Sequence, residues 1–235
     1  MERVQIGDCV LFHGSCLDFP PEVTADALVT DPVWPNCPPD LLQGGDDPHG
    51  LWSATMDALP PSVHRLVAVM RCDSDPRFLA PVPGRMPFFR SIQLSYAMPS
   101  YINRVLGGDE TAYWFGSVVA RVPGHIAIPG RGPIAQPSDR RANGHPCSRA
   151  QVHFDWLVQW CTDAGETVVD PFMGSGTTGV ACVKVGRPFV GMEVERRFFD
   201  IACRRVEEAY RQADLFVPPP AANQSQQLTM LDRSA

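Results

Sequence analysis

The stretch from Thr167 to Arg211 restricts the fold more than any other part of the chain. Thr167–Val169 is a short β-rich run, and Asp170–Gly176 is a glycine-rich turn. Thr177–Val185 has helical character, and Phe189–Met192 is a second β-rich run that ends at Glu193. Arg196–Arg211 then carries Phe199, Ala202, Val206 and Tyr210 along one side of a final helix. A strand, a crossover helix and a second strand make a βαβ unit, and such a crossover joins parallel strands.

The turn inside this unit has the chemistry of a ligand site. In Val168-Val169-Asp170-Pro171-Phe172-Met173-Gly174-Ser175-Gly176-Thr177-Thr178-Gly179 the glycines permit a tight turn and a close approach of backbone to ligand. The helix that follows offers unpaired N–H groups at its start, with Thr177 or Thr178 as the expected cap. Glu193 stands at the end of the next strand, 17 residues after Gly176, where an acid accepts hydrogen bonds from a ribose diol. Strand, turn, helix and acid together point to an adenosine-containing ligand. No Gly-Lys-Ser/Thr phosphate loop is present. The run G-S-G-T-T-G overlaps formally with the dinucleotide fingerprint, so pattern alone leaves NAD open.

Upstream, Val4–Ile6 and Val10–Phe12 read as short strands, and Ala25–Val29 as a buried strand with Thr30-Asp31-Pro32 at its carboxyl end. Residues 35–50 are rich in Pro, Gly and Asp and read as a loop. Ser53–Leu59 has helical character; Leu66–Met70, Ser91–Leu94 and part of Ala112–Val122 read as strands. Residues 123–148 predict a long mobile loop. Gln151–Cys161 is an amphipathic helix with Phe154, Leu157, Val158 and Cys161 at helical spacing. One domain over residues 1–212 follows, with a polar, Pro-rich and disordered tail over 213–235.

Composition narrows the class. With 235 residues and 44% hydrophobic content the chain builds a real core. No apolar run reaches the roughly 18–20 residues of a membrane span, and Met1–Gln5 lacks the features of a secretory signal. A cytoplasmic protein is expected. None of the eight cysteines forms a C-x-x-C pair or stands at zinc spacing with a histidine, so reduced thiols and no metal are expected. His49, His64, His125 and His153 have no companion pattern and read as surface or core residues. The net charge of -6 argues against a uniformly basic nucleic-acid binder but allows a local basic face. Arg131, Arg140, Arg141 and Arg149 supply one, and the first three are the candidate nucleic-acid contacts.

Asp170-Pro171-Phe172-Met173-Gly174-Ser175-Gly176-Thr177-Thr178, followed by Val190-Gly191-Met192-Glu193, resembles the cofactor motif of the amino-group (adenine-N6/cytosine-N4) DNA methyltransferases. That resemblance implies S-adenosylmethionine as the cofactor. Phe172 would pack near it, the backbone from Gly174 through Ser175 to Gly176 would meet its methionine part, and Glu193 would hold its ribose. Asp170, Thr177 and Thr178 belong to the same motif. The family's second signature, Asp/Asn/Ser-Pro-Pro-aromatic, is matched by Asp31-Pro32-Val33-Trp34 with a departure at Val33. An exocyclic base amine is a poor nucleophile because its lone pair is delocalised into the ring. Acceptors at its N–H groups, the Asp31 carboxylate and the Pro32 carbonyl, favour a pyramidal nitrogen. Trp34 offers a stacking face worth roughly 1–3 kcal/mol. Val33 keeps the Pro32 carbonyl but frees the conformation of Pro32.

His145-Pro146-Cys147-Ser148-Arg149 resembles the family's His-Pro-Thr-Gln-Lys segment, which implies His145 and Arg149 near the methionine end of the cofactor. Gly14-Ser15-Cys16-Leu17-Asp18 resembles a further family segment, with Asp8 or Ser15 as candidate contacts. The catalytic motif precedes the cofactor motif, an order similar to the circularly permuted beta class. The implied fold is a doubly wound, Rossmann-like α/β sheet with its site at the carboxyl ends of the strands. The implied function is site-specific methylation of DNA, as in restriction-modification, on a base flipped from the duplex. Asp31 favours adenine N6, since serine is more usual for cytosine N4. Loops 35–50 and 123–148 are short recognition elements, compatible with a short target or a partner subunit, a homodimer included. A degenerate cofactor-binding subunit, or an RNA or small-molecule methyltransferase, remains as an alternative.

Overall fold

The computed structural model describes residues 1–98, 101–102, 105–106, 108–120, 128–139 and 148–214. The strands are β1 (Glu2–Ile6), β2 (Cys9–His13), β3 (Ala27–Thr30), β4 (Arg65–Arg71), β5 (Phe88–Tyr96), β6 (Tyr101–Ile102), β7 (Val105–Leu106), β8 (Glu110–Gly116), β9 (Ile134–Ala135), β10 (Val168–Asp170) and β11 (Phe189–Glu193). The helices are α1 (Pro48–Ala58), α2 (Gln151–Cys161), α3 (Thr177–Val185) and α4 (Arg196–Asp214). Nine strands form one sheet in the order β1-β2-β11-β10-β3-β4-β8-β5-β9, and β6 pairs with β7 apart from it.

The centre of the sheet is parallel. β2, β11, β10, β3 and β4 run the same way, with β1 and β8 antiparallel beside them. Every residue of β3 and β10 is buried, as expected of strands covered on both faces. Alternation along the strands divides the core in two. Val29, Val67, Val69 and Val168 face one way, under Phe154 and Leu157 of α2, Val180 of α3 and Phe199 and Val206 of α4. Leu28, Leu66, Ala68 and Val169 face the other, under Trp52 and Met56 of α1 and Phe78 of a short 3-10 turn. Helices thus lie on both faces, and the sheet is doubly wound. From β3 the chain winds outward through α1 to β4; from β10 it winds the other way through α3 to β11. The boundary between β10 and β3 is therefore the topological switch point, where open α/β sheets bind ligands.

Some boundaries differ from the expectations, for local reasons. α1 begins at Pro48 rather than Ser53, because Asp47 accepts the Gly50 N–H at 2.9 Å and Pro48 suits the first turn. The loop over 35–50 is correspondingly shorter. Neither Thr177 nor Thr178 caps α3. The cap is Gly176, in the left-handed region at φ 81°, and the Thr178 hydroxyl is turned onto Asp170 instead. Residues 128–139 are not featureless: β9 pairs with the edge of β5, and Pro137–Asp139 form a 3-10 turn. α4 runs to Asp214, past the expected boundary at 212; residues 215–235 lie outside the described residues.

Cys9, Cys16, Cys37, Cys161 and Cys182 are free and buried, Cys203 is half-buried and Cys72 is exposed. Burial pushes the Cys161 thiol up to about 12 and Cys9 to about 11, so these thiols are inert fillers. Among the described residues no helix is long and apolar enough to cross a membrane.

Candidate active site

Four loops at the carboxyl ends of adjacent parallel strands surround one cavity of about 500 Å³. They are Gly14–Leu17 after β2, Asp31–Trp34 after β3, Asp170–Ser175 from the end of β10, and Glu193–Glu195 at the end of β11. Leu42, Gly44 and Leu51 close one wall, and Ser148 and Arg149 enter from the segment before α2. The register places Val169 beside Leu28, so two motifs more than 130 residues apart in sequence lie on neighbouring strands.

Asp170 ties these loops together. Its Oδ1 accepts the Thr30 hydroxyl at 2.6 Å and the Phe172 N–H at 3.1 Å, and its Oδ2 accepts the Thr178 hydroxyl at 2.5 Å. Burial pushes its carboxyl up to about 6, against the pull of those bonds. Asp170 thereby joins β3, the glycine-rich turn and α3. The turn is also held from behind by Arg205 on α4. Its Nη1 donates to the Ser175 carbonyl at 2.6 Å and to Thr177 Oγ1 at 3.3 Å, and its Nη2 to Gln151 Oε1 at 2.8 Å.

Glu193 faces the cavity. Its Oε2 accepts the Gly174 N–H at 2.9 Å and its Oε1 the Glu195 N–H at 2.7 Å. Each oxygen keeps a lone pair, which suits the two hydroxyls of a ribose diol. Burial pushes this carboxyl up to about 7, against those two backbone bonds. No side chain caps the start of α3, and the N–H groups of its first turn and the half-buried Phe172 complete a surface that fits an adenosine-bearing ligand.

Across the cavity, Asp31 is held by Arg149. Nε of Arg149 donates to Oδ2 at 2.6 Å and Nη2 to Oδ1 at 2.8 Å, while Nη1 donates to Glu110 Oε1. The Arg149 guanidinium also lies over the ring of Trp34, 5.5 Å from its centroid, and Arg71 lies 5.7 Å from the same ring. Trp34 is only 4% exposed. Burial raises the Asp31 carboxyl above its ordinary value, with Arg149 opposing the rise. Burial would raise Glu110 too, but Arg149, aided by His153 and Tyr96, holds it below its ordinary value. Val33 is buried with Trp34, Cys37, Leu42 and Leu51, so its departure from proline fills an apolar niche.

The family model described as DNA methylase, covering adenine-N6 and cytosine-N4 enzymes, matches residues 43–204. The chain belongs to the N6/N4 DNA methylase family. Type II methyltransferase M2.DpnII of Streptococcus pneumoniae is 33% identical over 76 residues, which are 32% of this chain and 28% of that protein. Type II methyltransferase M2.LlaDCHI of Lactococcus lactis subsp. cremoris is 31% identical over 77 residues, 33% of this chain and 29% of that protein. The matched stretch thus spans less than a third of these curated relatives. The crystal structure of an M1.HpyAVI–SAM complex has a TM-score of 0.64 at 22% identity, covering 83% of this chain and 98% of that one. PvuII DNA methyltransferase, described as cytosine-N4-specific, has a TM-score of 0.59 at 16% identity, covering 87% of this chain and 92% of that one. These likenesses establish the methyltransferase fold.

Within this N6/N4 methylase, Asp31, Pro32, Trp34, Asp170, Phe172, Gly174, Ser175, Thr177, Thr178, Glu193 and Arg149 all line the one cavity. Gly176 lies just behind it, against Ala202 of α4. Ser15 lines the cavity, whereas Asp8 sits in the turn between β1 and β2 at the opposite end of the sheet. Arg131 is exposed, near the sheet edge formed by β9. Arg140, Arg141 and His145 lie outside the described residues. Arg149 was expected at the cofactor; its bonds here go to Asp31 and Glu110.

Sequence reading passed over Glu110, Arg205 and Gln151. Glu110 had a readable signal, because it shares the inward face of β8 with Ala112 and Trp114 and so is a carboxylate at a core position. Arg205 and Gln151 sit on exposed-looking helix positions and carry no such mark.

Glu193 yields a measurable pH dependence. A ribose diol binds the carboxylate form, so protonation of a group at about 7 competes with the ligand. Affinity for S-adenosylhomocysteine is expected to rise from pH 6 to pH 8, by roughly tenfold at most. Calorimetry should show proton release at neutral pH, and Glu193→Ala should weaken binding and flatten the profile. An unchanged dissociation constant in that variant would remove Glu193 from the ligand.

Proposed function

We propose that this protein transfers a methyl group from S-adenosylmethionine to the exocyclic amine of a base flipped out of DNA, with adenine N6 as the favoured target. One observation carries the reading: Asp31 and Glu193, each within its own motif, face a single cavity across the switch point of the sheet. Glu193, Phe172 and the turn from Gly174 to Thr178 would hold the cofactor, and Asp170 and Arg205 would keep that turn in shape. The cofactor supplies the electrophilic methyl group. Asp31 and the Pro32 carbonyl would accept N–H bonds from the base amine and hold it in line, so that acceleration comes from positioning and electrostatics. Burial of the site keeps those bonds from competing with water.

Adenine is favoured because the motif opens with Asp31. Cytosine N4 is the second reading, supported by the fold likeness to the cytosine-N4-specific PvuII enzyme. Arg131, Arg140 and Arg141 would contact the DNA backbone, and DNA as substrate fits a cytoplasmic protein. The exposed Phe88, Phe89 and Ile134 near the sheet edge support a homodimer, testable by light scattering.

The test is transfer of labelled methyl from S-adenosylmethionine to mixed-sequence duplex DNA, followed by nucleoside mass spectrometry. N6-methyladenine is expected, and N4-methylcytosine would establish the second reading. Absence of label in DNA and in RNA, with measurable cofactor binding, would instead make the chain a cofactor-binding subunit.

A further inference from the structure

The base seat described above has a resident. A target amine must donate N–H bonds to Asp31 while its ring lies against Trp34. The Arg149 guanidinium, itself planar and a donor on its edge, already does both. It makes two bonds to the Asp31 carboxylate and lies 5.5 Å from the centroid of the Trp34 ring. Arg71 crowds the same ring, 5.7 Å from its centroid. A base and the Arg149 guanidinium therefore compete for the same acceptor oxygens and the same aromatic neighbour.

We propose that Arg149 is a stand-in for the target base, and that seating the base means exchanging it for this guanidinium. The proposal rests on the reading of Asp31 as the amine acceptor. The division of bonds within Arg149 makes the exchange feasible. Nε and Nη2 serve Asp31, and the remaining nitrogen, Nη1, serves Glu110. The guanidinium can release Asp31 and keep a carboxylate partner. That partner matters, because the Arg149 side chain is 12% exposed and water alone could not receive its charge. Glu110 is itself fixed, by the Tyr96 hydroxyl at 2.9 Å and by the neighbouring His153. It is thus a stationary anchor on which Arg149 pivots.

The exchange selects for the correct base. An incoming amine returns an N–H donor to Asp31 and gives its second N–H to the Pro32 carbonyl. Thymine has no exocyclic amine; it offers only its ring N3–H, flanked by carbonyl oxygens, so its entry would set those oxygens against the acceptors of the seat and leave them unmatched. Arg149 is thereby a specificity-determining residue: a base must bring its own N–H donors to displace it.

The test uses the full chain, with S-adenosylhomocysteine at saturation to occupy any adenosine site. Binding of deoxyadenosine, deoxycytidine and thymidine is measured by ligand-observed NMR for the wild type, Arg149→Met and Glu110→Gln. Arg149→Met removes the competitor, and should bind deoxyadenosine or deoxycytidine about tenfold or more tightly than the wild type, with thymidine unchanged. Glu110→Gln removes the anchor and should weaken the same binding. Equal affinities in the wild type and Arg149→Met overturn the proposal, as does an equal gain for thymidine, which would show only a larger cavity. If Arg149→Met fails to bind S-adenosylhomocysteine, Glu110→Gln decides alone, and unaltered or tighter nucleoside binding overturns the proposal. A wild type that binds no S-adenosylhomocysteine would fail the methyltransferase reading itself.

Discussion

Asp31→Ala is expected to lower the rate of methyl transfer by about a thousandfold or more while leaving cofactor affinity within a few fold. The reason lies in what the variant leaves behind. Without the carboxylate, a base amine has no charged acceptor, and its lone pair stays in the ring. The remaining charges are Arg149 and Glu110, a neutral pair already in direct contact, so no buried charge is orphaned. Glu193, Gly174 and Arg205 make no bond to Asp31 and keep their own partners. Single-turnover transfer and calorimetry with S-adenosylhomocysteine separate the two effects. Transfer at the wild-type rate would remove Asp31 from the reaction. Loss of cofactor binding along with transfer would make Asp31 a structural residue.

Gly176→Ala is expected to cost about 2–5 kcal/mol of stability and to abolish measurable cofactor binding. Gly176 has φ 81°, where a Cβ costs roughly 1–2 kcal/mol. That Cβ would also stand 3.0 Å from the Ala202 Cβ and 3.1 Å from the Ala202 Cα, and overpacking a tight contact adds roughly 1–3 kcal/mol. Ala202 Cα is backbone of α4 and cannot swing aside as a side chain could. Relief has to come from the turn, which would move Gly174 away from Glu193 and Thr177 away from Arg205. Thermal unfolding measures the first effect and calorimetry the second. A variant with wild-type midpoint and affinity would show that the turn tolerates a side chain there.

Much of the site was readable because it is built from short local signals. The helices at Gln151–Cys161 and Thr177–Val185 match the expected bounds, since apolar spacing marks the first and the flanking Gly176 and Gly186 the second within the chain itself. The turn from Asp170 to Gly176 was equally plain. The cap of α3 was not, because Thr178 had two offers for its hydroxyl and the buried Asp170 was the stronger acceptor. The start of α1 was misplaced because apolar spacing begins later than the Asp47 cap that starts the helix. Loop 128–139 gained a strand because the edge of β5 offered unpaired backbone groups, which no local pattern in the loop announces.

The amino-acid sequence by itself determined the βαβ unit, the acid at the end of its second strand and an aspartate at the end of a buried strand. Each of these depends on residues close together in the chain: apolar runs, glycines and the polar residues that end them. Only the tertiary structure decided which charges meet. Arg149 pairs with Asp31 and Glu110, and Arg205 clamps Ser175, because sheet order and helix docking bring distant segments within a few ångströms. Such pairs are settled by the need of each buried charge for a partner once the core has closed. That need depends on neighbours in space, which a linear pattern does not encode.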